Sequence, residues 1–320
     1  MLEIVHRPDV HAALARLRSL HDGDLGVVET IACGDAAIPE LKEILFSREP
    51  SGIYETRRHA VEALAGLRAL DVLREFLAGH RDIRDPVEQT GEDAVMNAAA
   101  RALGRTPDTR DLPLLFQLAR EHPLAGVIET LGTFRQLAAL PYFIRALGDD
   151  FLRPSAERAI MRLGGKAVPS LAKAALDKDP MFGRESSSSI ARRRSVLRLL
   201  GALPTRRDDL PAAFFQLVDE KDGWIGFLAI GLCLPHLSQQ QIVHAVRASI
   251  RYLKSADDLL AHEIEDLLVA HYPLVATDIA ELQNEHHEIA PVWRVTDRTY
   301  STLERVQKRA CKPNSGAAHD

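Results

Sequence analysis

The chain has 320 residues, a net charge of −5 and a sequence pI near 6.2. This acidic balance disfavours a general nucleic-acid binder, because contacts to phosphate groups need a basic surface. The longest apolar run, 224–234, is shorter than the roughly 20 residues that cross a bilayer. We interpret that run as a helix buried on all sides. The composition therefore predicts neither nucleic-acid binding nor membrane insertion.

The three cysteines predict a reducing environment. Cys33, Cys233 and Cys311 lie far apart and in no paired spacing, which is typical of free thiols. The first residues contain an acid, Glu3, and no apolar segment of the kind that signal peptides have. We therefore expect a cytoplasmic protein.

In chain order, the apolar periodicity predicts a succession of helix pairs. We expect a capping helix within residues 1–22, a repeat array over 23–253, further helices over 254–310 and a disordered tail over 311–320. Whether 254–310 continues the stack or covers its end stays open. The predicted pairs are 24–33 with 36–46, 55–67 with 70–77, 92–103 with 110–118, 124–131 with 138–147, 154–163 with 167–176, 191–200 with 209–218, and 224–234 with 239–253. Three more helices are predicted at 257–270, 273–288 and 296–309.

The ends of the first helices recur at a regular spacing. The predicted ends are Gly34, Arg68, Gly104, Gly132, Gly164, Gly201 and Leu234, at intervals of 34, 36, 28, 32, 37 and 33 residues. Self-similarity at such a period is typical of a solenoid, in which each helix pair packs only on its neighbours. The sequence predicts an all-α, right-handed superhelix of about seven or eight helix pairs.

Two longer connections interrupt the period. Residues 79–91 are either a functional loop or a tolerated surface insertion. Residues 177–190 are polar and serine-rich, and we expect them to be mobile. Glu92 and Asp93 resemble a catalytic pair, but we interpret them as acids of a helix N-terminus beside Thr90 as its cap.

Three phrases resemble bacterial HEAT repeats of the short, PBS-lyase-like kind. They are GDAAIPEL at 34–41, RRHAVEALAGL at 57–67 and ALPYFIRALGD at 139–149. The resemblance covers about residues 24–253. It implies a helix-pair solenoid and leaves the function open, because such arrays serve as scaffolds, adaptors, inhibitors and occasionally enzymes.

The resemblance also brings two enzyme classes into consideration. Deoxyhypusine hydroxylase, a HEAT-like enzyme, binds di-iron through four repeated His-Glu dipeptides. This chain has two, His262-Glu263 and His287-Glu288, and its second repeat reads His59-Ala60 instead. HEAT-like DNA glycosylases need a basic surface with aromatic residues, which this acidic chain with two tryptophans does not suggest. Both alternatives rank below a binding protein without a catalytic site, metal or cofactor.

In HEAT-type arrays the second helix of each pair lines the concave face. This implies a protein-binding surface that uses the exposed residues of those helices. The residues so predicted are Lys42, Arg74, Arg120, Arg145, Lys173 and Arg247. A separate run, Arg192, Arg193 and Arg194, has two interpretations: an anion site, or solvated arginines in the first turn of a helix.

Overall fold

A computed structural model of the chain describes residues 9–48, 53–79, 82–287 and 298–311. These residues form α-helices and short 3-10 helices with one pair of two-residue strands, which confirms the predicted all-α class. The chain divides into two compact units, Met1–Gly164 (unit 1) and Gly165–Asp320 (unit 2). None of the helices in the described ranges is long and apolar enough to traverse a bilayer.

The helices of unit 1 are α1 (Val10–Leu17), α2 (Gly23–Cys33), α3 (Ile38–Phe46), α4 (Glu55–Gly66), α5 (Leu70–Ala78), α6 (Pro86–Arg105), α7 (Leu112–Glu121), α8 (Ala125–Thr133), α9 (Leu140–Ala146) and α10 (Arg153–Leu163). Unit 2 contains α11 (Val168–Leu176), the strands β1 (Pro180–Met181) and β2 (Arg184–Glu185), α12 (Ser187–Ala202), a 3-10 helix at Ala212–Asp219, α13 (Gly223–Cys233), α14 (Gln239–Tyr252), α15 (Asp258–Ala270), α16 (Tyr272–His287) and α17 (Arg298–Ala310).

Unit 1 is a stack of helix pairs. The first helices of successive pairs, α2, α4, α6, α8 and α10, pack one on the next. The second helices follow the same order, with α3 against α5 and α5 against α7. Each second helix also packs on the first helix of the next pair. This is the neighbour-to-neighbour packing that the repeat period predicts, whereas the superhelical course of the whole chain stays a prediction.

Glycines of the first helices serve two different purposes. Gly34 and Gly164 follow α2 and α10 with φ of +73° and +63°, so they end their helices in the left-handed region, as predicted. Gly104 and Gly132 were also predicted to end helices, and they are the next-to-last residues of α6 and α8, without the left-handed backbone of Gly34 and Gly164. A Cβ on Gly104 would lie 2.8 Å from Thr130 Oγ1, and one on Gly132 would lie 2.8 Å from Ala159 Cβ. These two glycines allow neighbouring first helices to approach closely.

Helix α6 begins earlier than the sequence analysis predicted. Asp85 accepts hydrogen bonds from the main-chain N–H groups of Val87 and Glu88, and Pro86 occupies the first turn. This cap and proline outweigh the Thr90 signal, because they satisfy or remove the free N–H groups of the first turn. The prediction of Glu92 as an N-terminal acid is therefore wrong, and so is that for the adjacent Asp93. Helix α6 takes up residues 86–91 of the predicted insertion.

The second insertion, 177–190, is also more ordered than predicted. Strands β1 and β2 pair antiparallel across a turn formed by Phe182 (φ +50°) and Gly183 (φ +77°), the sign pattern of a tight hairpin turn. Ser186 then caps α12 by accepting from the N–H of Ser189 at 3.1 Å. The Ser189 hydroxyl donates to Glu185 at 2.7 Å. The expectation of a mobile segment is corrected, because these serines act as a helix cap and a strand anchor.

The later part of unit 2 continues the pairs and then covers them. Helix α15 packs on α13 and α14, and α16 packs on α14, so α15 and α16 extend both rows by one pair. Helix α17 packs on both α15 and α16 and buries Leu303 and Val306 completely. The predicted tail from residue 312 onward lies outside the described residues.

Candidate interaction surface

The six basic residues predicted to bind a partner all lie on second helices. Lys42, Arg74, Arg120 and Arg145 belong to α3, α5, α7 and α9 of unit 1, and Lys173 and Arg247 belong to α11 and α14 of unit 2. Prolines in the first turn of α3, α7, α9 and α11 favour a helix start at these positions, because a first-turn proline loses no helical hydrogen bond. All six residues thus lie on second helices of the pairs, as the sequence analysis predicted.

Two of these residues connect neighbouring repeats. Lys42 reaches Glu75 of α5 with a distance of 2.6 Å from Nζ to Oε2. Arg74 donates from Nε to the buried Asp111 at 2.5 Å and from Nη1 to Asp71 at 2.7 Å. The hydrogen bond to Asp111 raises the pKa of Arg74 above its usual value. Both side chains therefore act as bridges along the row, in addition to any role toward a partner.

Helices α7 and α9 present aromatic and basic side chains together. The rings of Phe116 and Tyr142 lie 5.7 Å apart between centroids, and the Arg145 guanidinium lies 5.9 Å from the Tyr142 centroid. Arg145 also donates to the carbonyl of Ala119 at 2.5 Å. Arg120 beside it is 63% exposed and contacts only the neighbouring Glu121, at 3.1 Å. We call Phe116, Arg120, Tyr142 and Arg145 the α7–α9 surface.

The two predicted residues of unit 2 differ from each other. Arg247 pairs with Asp278 of α16 at 2.9 Å and so repeats the bridging role of Lys42. Lys173 is exposed on α11, and no acid of the described residues pairs with it. Of the six side chains, Lys173 is the one without an acidic partner among the described residues, whereas Arg120 pairs with its sequence neighbour Glu121.

The three arginines 192–194 are each paired with an acid of the same unit. Arg192 pairs with Asp179 at 2.8 Å. Arg193, 0% exposed, pairs with Glu185 and Glu220 at 2.7 Å each. Arg194 donates two hydrogen bonds to Asp222. The solvated interpretation is wrong for Arg192 and Arg193, whose side chains are 12% and 0% exposed, and an added anion would compete with the paired carboxylates.

Of the two histidine–acid dipeptides, the structure describes the side chains of His262 and Glu263. His262 is 66% exposed on α15, and its nearest acid is Asp266 at 3.9 Å. Its neighbour Glu263 lies on the same helix, and His287 is the last residue of α16, whereas Glu288 falls outside the described residues. Within the described ranges, no three His, Cys, Asp or Glu side chains are grouped so that they could hold a metal ion.

The sequence analysis missed the aromatic half of the α7–α9 surface. Phe116 and Tyr142 were not singled out from the sequence, and the structure leaves each half-buried. The sequence contained a usable signal. Each ring is the direct neighbour of a fully buried residue, Phe116 of Leu115 and Tyr142 of Phe143, and so lies at the edge of the apolar face of its helix. Comparison with known proteins adds no assignment: no protein-family model matches the chain, and no curated protein matches it.

Proposed function

We propose that this chain is a non-catalytic, cytoplasmic interaction protein of the HEAT-repeat type that binds a protein partner through its second helices. The observation that carries the proposal is the α7–α9 surface. It combines two half-buried aromatic rings with an arginine over one of them and a second arginine that is mostly exposed and pairs with its neighbour Glu121. Tyrosine and arginine are the side chains that most often dominate binding energy at protein interfaces.

The charge of this surface indicates the chemistry of the partner. Arg120 and Arg145 are basic, and the acid next to them, Glu121, is shared between Arg120 and Gln117. Guanidinium groups bind carboxylates in a geometry that suits two parallel hydrogen bonds. We therefore expect a partner that places an apolar side chain against Phe116 and Tyr142 and carboxylates against the arginines. The stacking of helix pairs in unit 1 supports the resemblance to HEAT repeats.

The test is an affinity capture from the native host with three matched baits: the unchanged chain, Arg120→Glu and Arg105→Glu. Arg105 is exposed at the end of α6, outside the α7–α9 surface, and its replacement makes the same charge change. We expect one dominant protein to be retained by the unchanged chain and by Arg105→Glu and to be lost with Arg120→Glu. Mass spectrometry identifies it, and elemental analysis of the same eluate measures bound metal.

Two results would contradict the proposal. Equal capture by all three baits would place binding elsewhere on the chain. Stoichiometric transition metal without a captured protein would favour the enzyme alternative and would direct mutagenesis to His262 and Glu263. The melting temperature of each bait serves as the folding control, since a single exposed substitution shifts stability by less than about 0.5 kcal/mol.

A further inference from the structure

Unit 2 carries an apolar groove between α12 and α13 that its own helices do not fill. Its volume is about 480 Å³. The side chains that line it are mainly leucines with one phenylalanine, and the polar members stand at its edge. Among the apolar lining residues, Leu197, Leu200 and Leu203 are buried, whereas Phe227, Leu228 and Leu232 are half-buried and open to a partner. Helix α13 was predicted to be buried on all sides, but Phe227 and Leu228 are only half-buried.

Two glycines widen the groove. A Cβ on Gly231 would meet no atom within 4 Å, and one on Gly201 would meet only Leu232 Cδ2 at 4.0 Å. Both residues are helical, and glycine is an unfavourable residue in a helix. The packing of unit 2 does not require glycine at either position. This differs from Gly226 of the same helix, where a Cβ would lie 2.1 Å from the Tyr252 hydroxyl.

An arginine stands at the edge of the groove without an acidic partner. The Arg198 guanidinium lies 5.5 Å from the centroid of the Trp224 ring, and no carboxylate of the described residues pairs with it. The three preceding arginines of the same helix, 192–194, are all paired with acids. His236 lines the groove as well and carries no negative charge. The groove thus offers a positive charge, that of Arg198, which no acid in the described part of the chain neutralises.

We propose that this groove binds an amphipathic helix of a partner protein, with an Asp or Glu of that helix against Arg198. The apolar lining fits the apolar face of such a helix, which presents side chains at positions i, i+3 or i+4 and i+7. The open glycines let the partner backbone approach closely, as small residues do between packed helices. The acidic position follows from charge complementarity with Arg198. The groove belongs to unit 2 and does not depend on the α7–α9 surface of unit 1.

The probe is a displayed library of amphipathic helical peptides with four apolar positions at this spacing and one flanking position that encodes Glu, Lys or Gln. Selection is carried out on the full chain. We expect helical binders in which Glu is enriched at the flanking position. The affinity of the best peptide is then measured by fluorescence polarisation against four variants: Gly231→Ala, Gly231→Leu, Arg198→Glu and Lys254→Glu.

The variants separate the groove from general effects. Gly231→Leu fills the groove and should weaken binding by at least about tenfold, whereas Gly231→Ala should retain it. Arg198→Glu should weaken the Glu-containing peptide by about tenfold and favour its Lys counterpart. Lys254→Glu makes the same charge change at an exposed position away from the lining residues and should have little effect. Should Gly231→Leu fail to fold, as shown by helicity and melting temperature, Gly201→Leu takes its place.

Several outcomes would overturn the inference. These are a selection without helical binders, an affinity unchanged by Gly231→Leu and Gly201→Leu, or equal responses to Arg198→Glu and Lys254→Glu. Sedimentation velocity is run in parallel. A dimer of the chain that Gly231→Leu dissociates would identify a second copy as the occupant and would also overturn it. Loss of partner capture through Arg120→Glu with intact peptide binding would leave this proposal standing, so the two proposals fail separately.

Discussion

Arg57 in unit 1 and Arg193 in unit 2 hold corresponding places in their helix pairs. Each donates from Nε to a main-chain carbonyl near the end of the preceding second helix, Arg57 to Leu45 at 2.8 Å and Arg193 to Ala175 at 2.7 Å. Both guanidinium groups are buried.

Their acidic partners differ. Arg57 pairs with one carboxylate, Glu92 at 2.6 Å. Arg193 pairs with two, Glu220 from the following repeat and Glu185 from strand β2. The comparison shows how an insertion can be added to a repeat: the hairpin of unit 2 is attached through the same arginine that already joins the helix pairs.

The largest effect is expected from removing the doubly paired arginine. Arg193→Met leaves Glu185 without a cationic partner among the described residues and Glu220 with Lys178 alone, and it should lower the free energy of unfolding of unit 2 by about 3–5 kcal/mol, as for other broken buried pairs. Urea unfolding followed by circular dichroism measures the change. Arg192→Met is the control, because Arg192 pairs with the exposed carboxylate of Asp179 and donates to the Asp177 carbonyl, so its loss strands no buried carboxylate and should cost less. Equal losses in the two variants would refute a special role of Arg193.

A smaller effect is expected in unit 1. Arg57→Met breaks a single buried pair and should cost about 3 kcal/mol, at the lower end of the range for such pairs. The double variant Arg57→Met with Glu92→Met removes both charges and should recover most of that loss, because paired burial costs desolvation on both sides. The same unfolding assay applies. A double variant no more stable than Arg57→Met alone would show that the charges are not coupled.

The ion pairs of Glu220 with Arg193 and Lys178 should weaken in acid. Partial burial raises the pKa of Glu220, but hydrogen bonds from Lys178 and Arg193 outweigh it and bring the pKa to about 2. Because this value lies below the ordinary one of 4.5, the contribution of Glu220 is complete above pH 5 and is lost as the pH falls toward 2. Unfolding at pH 6, 5, 4 and 3 should show a steeper decline for the unchanged chain than for Glu220→Gln. Parallel declines would count against it.

The smallest effects on stability are expected at two basic residues of the second helices, Arg145, which hydrogen-bonds a neighbouring helix, and the exposed Lys173. From the sequence, joint truncation of Arg145 and Lys173 should weaken partner binding and leave the melting temperature nearly unchanged. For Lys173→Ala the structure supports the same prediction, a change in stability of less than about 0.5 kcal/mol. Arg145→Ala loses a hydrogen bond to the Ala119 carbonyl and should cost about 1 kcal/mol. Thermal unfolding of the two single variants measures the difference, and identical melting temperatures would contradict it.

The helix pairs could be predicted because apolar periodicity and left-handed glycines are local signals. Gly34 and Gly164 end their helices as predicted, and α2, α4 and α11 lie within two residues of the predicted bounds. Gly104 and Gly132 could not be classified in this way, because their role is set by residues about one repeat away.

The ion pairs between repeats could have been predicted in part. Lys42 and Glu75 are 33 residues apart, Arg57 and Glu92 are 35, and Arg74 and Asp111 are 37. Opposite charges separated by about one repeat period thus predict ion pairs between neighbouring repeats. The apolar periodicity within a single helix does not contain this information. The hairpin at 180–185 had no such signal, since its two-residue strands are too short for an alternating pattern.

Each unit contains one buried cysteine whose labelling rate can report local opening of that unit. Cys33 lies in unit 1 and Cys233 in unit 2, and both are buried. Burial raises the pKa of the Cys233 thiol to about 12 and raises that of Cys33 as well, so neither forms the reactive thiolate at neutral pH while its helix is closed. With the exposed Cys311 replaced by serine, the rate at which a thiol reagent labels each site reports how often that unit opens. Labelling rates can therefore be assigned to one half of the chain without any engineered probe.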